Sequence, residues 1–203
     1  MRDQDLPAAL ATDLDGSFER LVLGYQDRLY AFALRLTGNP PDAEEITQDA
    51  FVRAHRALTK YPAARIQALA LRPWLYQIAL NVFRNRVRNR QLRLVPLDQG
   101  GEEGDSEIED DKEAWPDTVL ERAELKASLA ALVAALPERY RLAVVLRHVQ
   151  GLGYEEMVAV LKQPIGTIKA SVHRGVRMLR EALDDQEHTG HARPQLRARR
   201  GMK

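Results

Sequence analysis

The feature that most limits what this chain can fold into is a break between two short apolar stripes near its C-terminus. Tyr154, Met157, Val158 and Leu161 recur at three- and four-residue steps, Lys162-Gln163-Pro164 interrupts them, and Ile165, Ile168, Val172, Val176 and Leu179 resume the period. Two short helices around a tight turn satisfy both stripes, so the spacing predicts a helix-turn-helix over 154–183. Its second helix carries Lys169, Ser171, His173, Arg174 and Arg177. A helix fits the DNA major groove, where polar side chains on its outer face meet base edges and phosphates. The same pattern also describes a helical hairpin with solvated charges. His173 has no second ligand at metal-binding spacing and reads as a surface or phosphate-facing residue.

Upstream, every periodic segment also reads as helix. Phe18, Leu21, Val22, Tyr25, Leu29, Ala33 and Leu36 form one stripe over 17–37, stopped by Gly38-Asn39-Pro40-Pro41. A second helix is expected from Asp42, where Asp42 and Glu45 have capping-box spacing, with Ala43, Ile46, Ala50, Phe51, Ala54 and Leu58 as its apolar face. Residues 59–72 lack a clean period and read as a loop with room for a helical turn. Pro73 suits the first position of a third helix bearing Trp74, Leu75, Ile78, Ala79 and Val82, which runs on into Arg84, Arg86, Arg88 and Arg90. Helices are expected again from Thr118 and from Pro137.

The net charge of +1 hides a segregation. Residues 1–94 hold 14 basic and 10 acidic side chains, 95–117 hold one basic and 10 acidic, and 118–203 hold 15 basic and 9 acidic. The central stretch is rich in Gly, Glu and Asp and too poor in apolar residues to offset its ordering entropy. The expected fold is therefore all-α: two small helical domains, 1–94 and 118–184, joined by a flexible acidic linker at 95–117. The helix-turn-helix lies in the second domain, and 185–203 is expected to be a disordered basic tail. With no cysteine, disulfides, thiolate metal sites and cysteine nucleophiles are excluded. No apolar run spans a bilayer and residues 1–14 lack a secretory pattern, so the expectation is a cytoplasmic protein without membrane insertion.

The C-terminal motif carries a specific resemblance. Leu136-Pro137-Glu138-Arg139-Tyr140-Arg141, Gly151-Leu152, Tyr154-Glu155-Glu156, Gly166-Thr167-Ile168-Lys169 and His173-Arg174 resemble the promoter-binding C-terminal domain of ECF-type sigma factors. In the first domain, the run from Asp42 to Phe51, then Trp74-Leu75-Tyr76-Gln77-Ile78-Ala79 and Asn81, resembles that family's other conserved domain. Together the two cover most of the chain, in the family's order.

The resemblance implies a bacterial sigma factor that binds core RNA polymerase and directs promoter recognition and melting. Thr167, Lys169, Ser171, His173, Arg174 and Arg177 would line the duplex −35 element. Tyr61, Asn81, Arg84, Arg86 and Arg88 would meet the −10 element, where the 59–72 loop captures an extruded non-template base. By family analogy Asn81 supports that pocket, while Tyr61 and Trp74 suit a core role as well as stacking. Glu44, Glu45, Gln48 and Asp49 would face the clamp helices of the largest polymerase subunit, since an acidic stripe repels DNA and suits a basic protein surface. A solvated acidic face fits that stripe equally. An anti-sigma factor is a further candidate partner. No cofactor, metal or catalytic residue is implied.

Three positions depart from the family pattern: it has Gly where Lys162 stands, an apolar residue at Gln163 and Arg at Ser171. Lys162 in a left-handed turn would cost about 1 kcal/mol relative to Gly. Ser171 removes one expected DNA contact. The acidic linker suits either a solubilising tether or a polyanion mimic in a channel built for nucleic acid.

Three other readings share some of these features: a two-domain DNA-binding regulator that never joins polymerase, an enzyme, and a sigma mimic that sequesters an inhibitor. There is no Gly-rich phosphate loop, no metal-binding His spacing on a helix and no nucleophile turn to support an enzyme.

Overall fold

Gly38 and Asn39 make the first corner of the chain, and each does so through its backbone chemistry. Gly38 adopts φ 67° and its N–H closes on Leu34 O at 2.8 Å, ending α2 (Leu14–Thr37). Asn39 then caps α3 (Pro40–Leu58), its side-chain oxygen accepting the Asp42 N–H at 3.0 Å while Pro40 and Pro41 occupy the first turn, where no backbone donor is needed. The cap is thus Asn39 rather than Asp42, whose carboxylate is engaged elsewhere. The computed structural model describes residues 5–93 and 116–190, and among these every regular element is helical.

A short helix, α1 (Leu6–Thr12), precedes α2 and was not expected from the sequence. Seven residues are too few to hold a helix alone. Leu6 and Leu10, one turn apart, are buried where α1 packs on α2 and on α4 (Ala63–Gln67), the single turn within the 59–72 loop. The next helix, α5 (Leu71–Arg93), begins two residues before Pro73.

In the C-terminal half, α6 (Pro116–Ala135) starts two residues earlier than expected. Its Leu125 and Leu129 are 62% and 44% exposed, and among its described side chains Val133, near its end, is core. Pro137 then leads into α7 (Glu138–Val144), which loosens into a π-helical turn over Val145–Val149, the Gln150 N–H reaching back to Val145 O at 2.9 Å. Helix α8 (Tyr154–Leu161) starts with the Gly153 N–H donating to the Glu156 carboxylate at 2.7 Å. It ends on Lys162 at φ 55°, the left-handed turn the sequence implied. Helix α9 (Ile165–Gly190) follows, so residues 185–190, expected to belong to the disordered tail, are helical. Residues 94–115, which hold most of the acidic linker, and residues 191–203 of the tail lie outside the described residues.

The two helical units share one core. Helix α5 buries Leu75, Tyr76, Ala79, Leu80, Val82 and Phe83, more than one stripe can hold, because it packs on α2 and α3 on one side and on α8 on the other. Polar groups cross the same seam. Tyr76 donates its hydroxyl to Gln150 Oε1 at 2.7 Å, Arg72 donates to the Gln150 carbonyl and lies 3.8 Å from Glu156, and Arg84 lies 3.8 Å from Glu138.

Candidate nucleic-acid and partner interfaces

Helix α9 presents the first candidate surface. At 100° per residue, Ile168, Val172, Gly175 and Val176 fall on one side, and the structure packs that side inward. Thr167, Lys169, Ser171, His173, Arg174 and Arg177 all fall on the opposite arc. Five of them are exposed, and Ser171, at the edge of the arc, is half-buried. The inward side approaches α7 closely at Gly175: a Cβ there would lie 2.6 Å from Val144 Cγ2 and 3.3 Å from Tyr140 O. Glycine is what lets the two helices approach this closely.

The cations of this arc have local partners. Arg177 lies 3.5 Å from Glu181 one turn on, and the Lys169 ammonium sits 5.4 Å from the Tyr154 ring centre, whose face Arg147 also approaches at 4.7 Å. Hydrogen bonding from Arg174 holds the Tyr140 phenol below its ordinary pKa, with Arg139 adding a 2.6 Å bond to the same oxygen. Arg139 therefore joins the basic cluster, although its place before the helix-turn-helix kept it out of the candidate set.

The second surface runs along α5. Helical spacing aligns Trp74, Gln77, Asn81, Arg84 and Arg88 in one stripe. Asn81, Arg84 and Arg88 are exposed, while Trp74 and Gln77 are half-buried. At the loop end of the stripe, Tyr61 lies 6.2 Å from Trp74 between ring centres and is covered by the Arg65 guanidinium at 3.7 Å. Tyr61 is thus half-buried with one face occupied by a cation. Asn81 stands two turns beyond Trp74, in line with it. Gln77 and Arg65 are additions to the sequence-based set, and Gln77 was recoverable from its spacing with Asn81.

Arg86 does not join that stripe. It projects with Arg90 toward the start of α3, where Asp42, itself buried, meets Arg86 at 3.3 Å and Arg90 at 2.9 Å. Arg86 is also paired with Glu45. Alternate arginines on a helix point in different directions, and here they divide between an outward stripe, in which Arg84 also meets Glu138, and an internal network around Asp42.

The third surface is the outer face of α3. Glu44, Glu45, Gln48 and Asp49 are all exposed, opposite the buried Ala43, Ile46, Thr47 and Ala50. Val52, one turn past Gln48, adds an apolar spot that is 47% exposed. Among the described residues no cluster of three metal-ligating side chains occurs, and no helix is long and apolar enough to cross a membrane.

Comparison with known proteins covers both helical units. Residues 21–93 match the family described as Sigma-70 region 2, and residues 126–179 match Sigma-70, region 4. The chain is 36% identical over 168 residues to the ECF RNA polymerase sigma factor SigE of Mycolicibacterium smegmatis, covering 82% of this chain and 62% of that relative's length. It is 31% identical over 173 residues to the ECF RNA polymerase sigma factor SigW of Bacillus subtilis, covering 83% of this chain and 90% of the relative. The fold is similar to that of the sigma factor RpoE from Bartonella quintana, solved in complex with the anti-sigma factor NepR. That match has a TM-score of 0.63 at 24% identity and covers 82% of this chain and 96% of the other.

Proposed function

Because this chain belongs to the ECF RNA polymerase sigma factors, we propose that it joins core RNA polymerase and directs initiation at a specific set of promoters by binding alone, with no catalytic step of its own. The observation that carries this reading is the division of its surface. Two cationic surfaces on separate helices, the arc of α9 and the stripe of α5, suit DNA, and one acidic face on α3 suits a basic protein.

In this reading Thr167, Lys169, Ser171, His173, Arg174 and Arg177 contact the −35 duplex, with Arg139 beside them. Arg84 and Arg88 meet phosphates near the −10 element. The Tyr61–Arg65–Trp74 group and Gln77, aligned with Asn81, take the displaced non-template strand, where base stacking offsets the unstacking cost. Glu44, Glu45, Gln48 and Asp49 seat on the clamp helices of the largest polymerase subunit. The protein acts in the cytoplasm. An anti-sigma protein, the class of partner bound to the Bartonella relative, is the proposed regulator.

Competition for core enzyme tests the partner assignment. The purified chain should displace a fluorescent sigma factor from bacterial core polymerase, and a chain carrying Glu44→Lys and Gln48→Lys should compete at least tenfold less well. Equal competition by both would sink the assignment of α3.

A further inference from the structure

Helix α1 and the Tyr61–Arg65–Trp74 group meet through α4. This single turn, Ala63–Gln67, has no side-chain N-cap and is too short to persist by itself. Ile66 is its buried side chain, whereas Ala63, Ala64, Arg65 and Gln67 are exposed. Among the described residues α1 is the helix that packs broadly on α4, and no other does so to a comparable extent. Leu6 and Leu10 of α1 fall in the same apolar cluster as Ile66. The turn that carries Arg65 is thus seated on a helix that precedes residue 21, where the match to Sigma-70 region 2 begins.

The seat matters because of what Arg65 does. Its guanidinium stands 3.7 Å from the Tyr61 ring centre, and Tyr61 in turn lies 6.2 Å from Trp74 between ring centres. A cation–π pair at an exposed site is too weak to hold a loop in one arrangement. Burial of Leu6, Leu10 and Ile66 is the larger effect, and it acts whether or not a strand is bound. We propose that α1 is a positioning element for single-strand binding: Leu6 and Leu10 seat Ile66, which fixes Arg65 over Tyr61, so that the platform for a base is ordered before the strand arrives. A loop already ordered in the free chain loses less freedom on binding, and its affinity is higher accordingly. The inference rests on the assignment of the Tyr61–Arg65–Trp74 group to the displaced strand.

The test follows tryptophan emission of the full chain as a short single-stranded DNA of mixed sequence is titrated in. A parent chain carrying Trp115→Phe leaves Trp74 as its one tryptophan. Base stacking on the platform should quench that emission. In this parent, Leu10→Ala should bind the strand about threefold to tenfold more weakly. Its slope of log K against log salt should match the parent's, because Arg84 and Arg88 lie on α5 and keep their phosphates. Amide exchange over residues 63–67 should quicken, and the conservative Leu10→Met should restore both exchange and affinity. Ile66→Ala breaks the same contact from α4, whose helical neighbour is α1, and decides the matter where Leu10→Ala fails to fold. Undiminished affinity in the folded alanine variants, or a loss of affinity accompanied by a loss of slope, would overturn the proposal. A Trp74 emission that ignores the strand in the parent would instead remove the strand-binding assignment of the group, and the proposal with it.

Discussion

The hydroxyl of Tyr76 donates to Gln150 Oε1 at 2.7 Å, joining α5 to the segment that leads into α8 across 74 positions of sequence. Arg72 reaches the backbone carbonyl of the same Gln150. The helix-turn-helix is therefore docked against α5, the helix that carries the stripe of Asn81, Arg84 and Arg88. Elements named −35 and −10 lie about 25 base pairs apart, about 85 Å on straight B-DNA at 3.4 Å per pair. On the proposed assignment of the two units to these elements, units that touch at Tyr76 and Gln150 separate to occupy both. Tyr76→Phe, which deletes the bond and leaves Gln150 with an unmet acceptor, should weaken the docked state by about 1 kcal/mol. Small-angle scattering of the free chain should show a larger radius of gyration for a Tyr76→Phe/Gln150→Ala chain than for wild type.

The same tyrosine sets a pH dependence. Burial pushes the Tyr76 phenol up to about 12, from an ordinary value near 10. A raised acid binds more protons folded than unfolded between those values, so stability falls as pH climbs from about 10 to about 12. The loss attributable to this group reaches about 2–3 kcal/mol. Urea unfolding at pH 9, 10 and 11 should show the decline in wild type and a smaller one in Tyr76→Phe. Parallel declines would place the sensitivity elsewhere.

Gly175 is required by the contact of α7 with α9. A methyl group there meets Val144 Cγ2 at 2.6 Å, so Gly175→Ala must push the helices apart, at a cost of about 1–3 kcal/mol. Thermal melts should register the loss, and duplex binding should weaken with it as α9 shifts. An unchanged melting temperature would mean that the crossing can relax at no cost.

Lys162 carries the opposite expectation. It is the single non-glycine residue at positive φ among the described residues. Lys162→Gly should relieve the left-handed strain and stabilise the chain by about 1 kcal/mol, less the entropy that glycine adds to the unfolded state. Chemical denaturation of the two chains checks the sign.

Arg177 separates binding from stability. Its pairing with Glu181 joins two side chains that are each about two-thirds exposed, and exposed pairs contribute little. Arg177→Ala should leave the unfolding midpoint nearly unchanged, yet lower duplex affinity and reduce the salt slope by about 0.9, the share of one B-DNA phosphate. A loss of stability without a change in slope would assign Arg177 a structural role.

What could be read from the sequence follows from where the determinants are local. Gly38-Asn39-Pro40 and Lys162-Gln163-Pro164 are backbone signals, and both corners fall where those residues imply. The outer arc of α9 follows from helical period alone. The remainder depends on tertiary partners. Helix α1 has only Leu6 and Leu10 to bury and exists because α2 and α4 receive them. The docking of α5 on α8 was hidden because a one-face reading of α5 left Tyr76 outside the apolar stripe, although it is fully buried. Capping-box spacing at Asp42 and Glu45 pointed to each other's backbone, but Arg86 and Arg90, more than forty residues away, claim both carboxylates. Period alone divided the alternating arginines of α5, but it could not say that one side would face carboxylates.

Promoter-directed transcription in vitro tests the proposed function most directly. Purified chain added to sigma-free bacterial core polymerase on a library of genomic promoter fragments should yield discrete transcripts from a defined subset. Those transcripts should disappear when Lys169 and Arg177 are both replaced by alanine. Transcripts no different from those of core polymerase alone, from a folded chain, would contradict it.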